Sequence, residues 1–203
     1  MVALPHSLNS PVKMTAQEYL IWESKQEVRH EYSGGEVFAM TGGTKGHNKL
    51  ALNLYGALEK QVDADSCEMN TSDVKVMVSE LSAYRYPDLV VSCDERDKLN
   101  PDFYTYPKLI VEVLSPGTEA IDRNKKFQEY IQIPTLEEYV LINTDQMQVE
   151  CFRRGEGRMW LYYPYKAGDV IEIQSMGVEF SIEQLYRNVR LEEEVEEAQE
   201  ASD

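Results

Sequence analysis

No stretch of this sequence holds the roughly 18 consecutive apolar residues that a membrane-spanning helix needs, so no contact with a bilayer is expected. The opening residues, MVALPHSLNSP, lack the basic start and apolar block of a secretory leader, and a cytoplasmic protein is expected. Cysteine is scarce: Cys67, Cys93 and Cys151 are far apart, with no C-x-x-C or Cys/His ligand spacing. That pattern excludes a familiar zinc site, and reduced, partly buried thiols are expected. Basic residues are few as well. Only 20 Lys and Arg stand against 36 Asp and Glu, for a net charge of −16. Affinity for DNA comes largely from cations that neutralise phosphates. Any surface facing nucleic acid must therefore be local and its grip weak. No Pro/Ser-rich linker and no internal repeat is present.

What is there suffices for one compact domain: 203 residues, 42% of them hydrophobic. The domain is expected over residues 1–190, with 1–13 flexible. Residues 191–203, LEEEVEEAQEASD, carry six Glu and one Asp; those seven charges leave −9 of the −16 on the body. Such a like-charge run is a solvated tail or a frayed helix.

Thr15 followed by Glu18 predicts a capping box and a helix over about residues 16–25. Gly34-Gly35 between two short strand-like runs predicts a hairpin. Leu50, Leu54 and Leu58, with Ala51 and Ala57 beside them, predict an amphipathic helix. SDVKVMVS, YPDLVVSC, PKLIVEVLS and EYVLINT read as strands. EAIDRNKKFQEYIQI reads as a helix with Phe127, Tyr130 and Ile131 as its apolar stripe, ended by Pro134. A hairpin around Gly155 and Gly157, two further short strands, DVIEI and GVEFSI, and a final helix over SIEQLYRNV complete the pattern. The class is α/β: a mixed β-sheet flanked by helices, with additional β-hairpins. The strand–helix–strand unit from 108 to 144 implies locally parallel strands with a helix on one face.

Two carboxylates break otherwise apolar strands: Asp88 in PDLVV and Glu112 in LIVEV. If the two strands are neighbours, the acids converge at one end of the sheet. A buried carboxylate costs several kcal/mol unless it is paired or metal-bound. A hard divalent cation relieves a pair of them, and Mg²⁺, or Mn²⁺, with its oxygen ligands suits phosphodiester hydrolysis. Lys125 and Lys126 lie on the helix that must pack back on this sheet, with Asp122 and Arg123 one turn earlier. The plainer readings are a strand-end turn for Asp88 and a buried salt bridge from Glu112 to Lys126. His47, at a helix start, could meet a phosphate there or simply begin the helix. The Tyr-rich stretches YTY and LYYPY read as bases' stacking partners, strand faces or a subunit interface. GGTKGHNK fails the spacing of a phosphate-binding loop.

The blocks YPDLVV, PKLIVEVLSPGT and DRNKKFQEYIQIPTLEEYVLIN, in this order, resemble the Uma2 family of restriction endonucleases within the PD-(D/E)XK nuclease superfamily. HEYSGGEVFAMTGGTKGHNKLALNLYGAL resembles that family's amino-terminal segment. The likeness runs from about Met14 to Tyr163. It implies a restriction-endonuclease-like core, Mg²⁺-dependent cleavage of DNA and a homodimer. Asp88 matches the Asp of the P-D motif and Glu112 the acid of the D/E-x-K motif, with the backbone carbonyl of Val113 as a further metal ligand. Leu114 stands where that motif has its lysine. The resemblance implies instead a lysine displaced to the following helix, where Asp122, Arg123, Lys126 and Tyr130 fit the spacing and Lys126 is favoured over Lys125. Glu31 matches an amino-terminal acid that adds a ligand or holds a water. The alternative is a nuclease-like dimeric binding module with weak or no catalysis.

Overall fold

The computed structural model describes residues 13–40, 42–79 and 83–191. Almost all of the expected flexible start and of the acidic tail lies outside them. Thr15 caps α1 (Ala16–Glu23): its hydroxyl accepts the Glu18 N–H at 3.3 Å while the Glu18 carboxylate accepts the Thr15 N–H at 2.8 Å. β1 (His30–Ser33) and β2 (Glu36–Ala39) form the expected hairpin. Gly34 and Gly35 turn it at φ 60° and 92°, backbone that a side chain would strain. Thr44 caps α2 (Lys45–Glu59), the expected amphipathic helix, which buries Leu50, Ala51, Leu54 and Leu58.

β3 (Glu68–Thr71), β4 (Lys75–Ser79), β5 (Ala83–Arg85), β6 (Leu89–Ser92), β7 (Phe103–Tyr104) and β8 (Leu109–Val113) follow. A helical crossover comes next, made of α3 (Glu119–Ile121), a π-helical turn (Asp122–Lys126) and α4 (Phe127–Tyr130). Then come β9 (Glu138–Ile142), β10 (Gln148–Arg154), β11 (Trp160–Lys166), β12 (Val170–Ile173), β13 (Val178–Ser181) and a short α5 (Ile182–Leu185). The predicted last helix thus shrinks to one turn. The apolar stripe of the crossover is completed by Ile133, which is buried, rather than by Ile131.

The single sheet of the expectation resolves into two mixed sheets and a separate hairpin. The larger has the order β11-β10-β9-β8-β6-β3, with β8 and β9 parallel across the crossover and its other pairs antiparallel. The smaller has the order β2-β1-β5-β4-β7, and β12-β13 stands apart. One face of the larger sheet, through Leu89, Val91, Leu109, Val111 and Val113, packs on α2, β12, β13 and α5. The opposite face, through Val90, Ile110, Tyr139 and Leu141, packs on Tyr130, Ile133 and Leu136 and on Val76 and Val78 of the smaller sheet. Strand alternation therefore decides what Glu112 meets, because it shares the second face with Ile110. Among the described residues no helix is long and apolar enough to cross a membrane.

The expectation of three reduced thiols is corrected. Cys67 and Cys93 are bonded to each other, and Cys151 is free and buried. Their separation of 26 residues concealed a cross-strand pair: β3 runs antiparallel to β6 with Glu68 opposite Ser92, and the next residue outward on each strand is the cysteine. Closing that loop constrains the unfolded chain by roughly 3 kcal/mol. Reduction, or Cys93→Ser, should lower unfolding stability by about that amount in urea titration. An unchanged midpoint with reductant would show that the bond contributes nothing in solution.

Candidate functional site

The β6–β8 register pairs Leu89 with Val111 and Val90 with Ile110. One step further, Asp88 falls opposite Glu112, at the end where the chain leaves the sheet. The Val113 N–H donates to Asp88 Oδ2 at 2.7 Å and fixes that carboxylate. Glu112 is only 3% exposed. It faces the crossover helix, which Tyr130 and Ile133 anchor to this face. Asp122, Lys126 and Tyr130 are spaced four residues apart and all three are buried, so one helical stripe points at Glu112. The π-helical turn spans Asp122–Lys126, and such bulges often mark functional positions.

The Lys126 ammonium donates to Glu112 Oε1 at 3.0 Å and lies 3.0 Å from Asp122 Oδ1 and 3.3 Å from Glu31 Oε1. The Tyr130 hydroxyl donates to the same Glu112 Oε1 at 2.9 Å. Glu31 comes from β1 and is held by two donors, Arg85 Nη1 at 2.7 Å and the Tyr86 N–H at 3.2 Å. Arg85 also forks onto Glu129, at 2.7 and 3.0 Å, and the Ser33 hydroxyl donates to that carboxylate at 2.9 Å. Glu31, Glu112, Asp122 and Lys126 thus meet at one point. Asp88 and His47 adjoin it, with His47 Nε2 3.3 Å from Asp88 Oδ2.

Five carboxylates (Glu31, Asp88, Glu112, Asp122 and Glu129) gather around two permanent cations, Lys126 and Arg85, so acidic groups outnumber basic ones here. Burial, reinforced by Asp122, Asp88 and Glu31 against the pull of Lys126, pushes Glu112 well above the ordinary carboxylate range. Burial likewise raises Asp122. Glu31 is lowered: Lys126 and Arg85 together outweigh its burial. His47 is raised, because its bonds to Asp88 and to the Val113 backbone outweigh its burial. Asp122 Oδ1 is buried and has no aligned hydrogen-bond donor, only the nearby ammonium. Excess negative charge, oxygen donors and an under-satisfied carboxylate fit a hard divalent cation. Among the described residues no group of three or more Asp, Glu, His or Cys side chains is arranged to hold a metal ion.

The site forms the floor of an open cleft of about 800 Å³. Glu31, His47, Asp88, Glu112, Val113, Asp122 and Lys126, all expected from the sequence, line it. Arg123 does not: its guanidinium pairs with Glu119 at 2.6 Å and with Glu150, on the far side of the helix. Lys125 lines the rim rather than the floor, lying 5.4 Å from the ring centroid of Phe38. Arg85 and Glu129 had not been singled out. The signal was available for Arg85, a lone cation in the apolar run AYRY, just as Glu112 is a lone acid in LIVEV. Tyr130 had been read as core, which it is, but its hydroxyl also serves Glu112.

A family model, Uma2, described as "Putative restriction endonuclease", matches residues 16–186. An uncharacterized protein of Synechocystis sp. is 37% identical over 187 residues, covering 92% of this chain and 98% of that one. A second uncharacterized protein of the same organism is 34% identical over 155 residues, covering 73% and 85%. A crystal structure described as "a putative nuclease belonging to DUF820", from Anabaena variabilis, superposes with a TM-score of 0.70 at 16% identity, over 85% of this chain and 97% of that one. At that identity the superposition speaks for the fold, a mixed α/β nuclease-like architecture.

Arg85 is 2% exposed and is the shared partner of Glu31 and Glu129. Arg85→Ala should cost about 3–5 kcal/mol, the penalty of stranding buried charge, in urea unfolding. Arg85→Lys should recover only part, since an ammonium cannot fork onto both carboxylates. A loss below about 1 kcal/mol, the range of solvent-screened surface pairs, would mean that this network contributes little.

Proposed function

The chain belongs to the Uma2 family, and on that premise we propose that it is a metal-dependent endonuclease hydrolysing phosphodiester bonds of DNA. The observation that carries the reading is the meeting of Glu112, Lys126 and, one strand over, Asp88 in the floor of an open cleft. Mg²⁺ or Mn²⁺ bound by Asp88, Glu112 and the Val113 carbonyl would supply the Lewis acid and the activated water. Lys126 and Tyr130 both donate to Glu112 Oε1 and so fix the carboxylate that would help to hold the cation. Val113 N–H holds Asp88 in place. Lys126 orients the attacking water and stabilises the charge that grows on the phosphate. Glu31, kept ionised by Lys126 and Arg85, holds the ammonium at its station. His47 adds a second contact to the same Asp88 Oδ2.

The wider reading includes a homodimer and a cytosolic location. For pairing, the support is β11, an edge strand on which Leu161, Tyr162 and Tyr163 are 38–50% exposed. In the cytosol, Cys67–Cys93 would face a reducing thiol pool. DNA would be bound weakly, given the net charge of −16.

A second reading, a dimeric binding module without turnover, is favoured by one observation. Lys126 is 7% exposed and already engaged by three carboxylates, which leaves it little freedom to serve a substrate.

Two measurements separate the readings. Plasmid cleavage in Mg²⁺ should fall by at least about a hundredfold in both Asp88→Asn and Glu112→Gln, with circular dichroism unchanged. Titration calorimetry should detect Mg²⁺ or Mn²⁺ binding that Glu112→Gln removes. Variants that cut DNA at the parental rate would sink the endonuclease assignment. Absence of cation binding at millimolar concentration would favour the module.

A further inference from the structure

The cleft has an apolar lip that the chemistry of its floor does not use. Phe38, on β2, is 42% exposed, and Ile121, on α3, is 45% exposed; both line the cleft, with Ala39 and Met40 beside Phe38. Ile121 and Lys125 are one helical turn apart, and the Lys125 ammonium reaches to 5.4 Å from the Phe38 ring centroid. Hairpin and helix therefore approach each other at Phe38 and Lys125, and each presents an apolar side chain to the cleft. Exposed apolar surface rimmed by polar groups, as at this cleft, is a feature of ligand-binding grooves.

We propose that Phe38, Ile121 and Lys125 form a stacking subsite for one unpaired nucleobase, and that the substrate is single-stranded or locally unpaired DNA. This rests on the endonuclease reading and names its substrate class. Three considerations converge on it. The protein has net charge −16, and the cations lining the cleft outside its floor are Arg29, Lys45 and Lys125, of which Arg29 is 3.6 Å from Asp73. Tracking a duplex by its phosphates needs many cations and loses affinity steeply with salt. Affinity here must come from a contact that salt does not screen. Stacking on an aromatic ring is such a contact, and a neighbouring cation reinforces it. A base inside a duplex has both faces covered by its neighbours, so only an unpaired or extruded base can offer one. The cleft of about 800 Å³ lies within the usual range for small-ligand sites, a size that takes a nucleotide rather than the flank of a helix.

The test uses the full chain carrying Glu112→Gln, which should neither bind the cation nor cleave, with a fluorescein-labelled single-stranded decamer and its duplex followed by anisotropy. The single strand should bind at least about tenfold tighter than the duplex, with a shallow salt dependence. Adding Phe38→Ala should weaken the single strand between about five- and a hundredfold, the loss of one stacked base, and leave the duplex unchanged. Phe38→Tyr should restore binding. Phe38 is exposed, so thermal melts should match in all these proteins. Equal binding with and without the Phe38 ring, or a preference for duplex, would overturn the subsite, while DNA cleavage by the wild-type protein would leave the endonuclease reading standing. No binding of either DNA, together with no cleavage, would remove both.

Discussion

Glu112 and Lys126 form an ion pair almost wholly withdrawn from water, and the architecture around them is arranged to make that tolerable. The carboxylate is the fourth of five residues in an otherwise apolar strand of the larger sheet, and its partner arrives on the crossover helix that leaves the same strand. A parallel β8–β9 pair requires such a crossover, and right-handed packing lays it on one face. The geometry of the pair is thus inherited from topology. Its energetics are less favourable. Replacing a buried ion pair with apolar side chains of similar volume is often neutral or stabilising, so the pair is weak evidence for stability. Here it is also surrounded by Asp122, Glu31 and Asp88, which add repulsion. A chain selected for stability alone would not gather these groups, and this is why the cluster reads as a site.

The second shell of charge ties the two sheets together. Arg85 lies on β5 and Glu31 on the adjacent β1; continuing their register from Tyr32 and Tyr84 sets Arg85 opposite Glu31. Glu129, which Arg85 also grips, belongs to the helix covering the other sheet. One guanidinium therefore joins the smaller sheet to the crossover helix and fixes how far apart the cleft walls stand. The same hairpin that brings Glu31 to the floor carries Phe38 to the lip. Site geometry and cleft width are set by one set of contacts.

Much of this was legible in the sequence, for reasons that differ by residue. The capping box at Thr15, the Gly34-Gly35 turn and the Leu50/Leu54/Leu58 stripe are local signals, and local physics settles them. Glu112 and Asp88 were legible as misfits, acids in strands that otherwise want burial. The pairing of Cys67 with Cys93 was not, because it depends on β3 lying beside β6 and nothing within either segment declares that neighbour. Arg123 was placed at the site by spacing alone, whereas the helix turns it outward to Glu119 and Glu150. Its neighbour Asp122 points inward, and one residue's rotation along the helix separates the two fates. Division into two sheets was hidden for the same reason as the disulfide: strand partners are long-range facts.

The acidity that first argued against DNA has a local consequence. With carboxylates outnumbering cations, the floor disfavours a phosphate until a cation enters, and in the proposed reading the cation must therefore come first or come with the substrate. Coupling of this kind is reciprocal: whatever DNA gains from the bound ion, the ion gains from bound DNA. Lys126 cannot supply the attraction alone, because its charge is already spread over Glu112, Asp122 and Glu31. The lip is free of that constraint, since a neutral base face can settle against Phe38 whether or not the floor is neutralised. In the proposed reading, recognition at the lip and chemistry at the floor thus answer to different forces, the first to stacking and the second to charge.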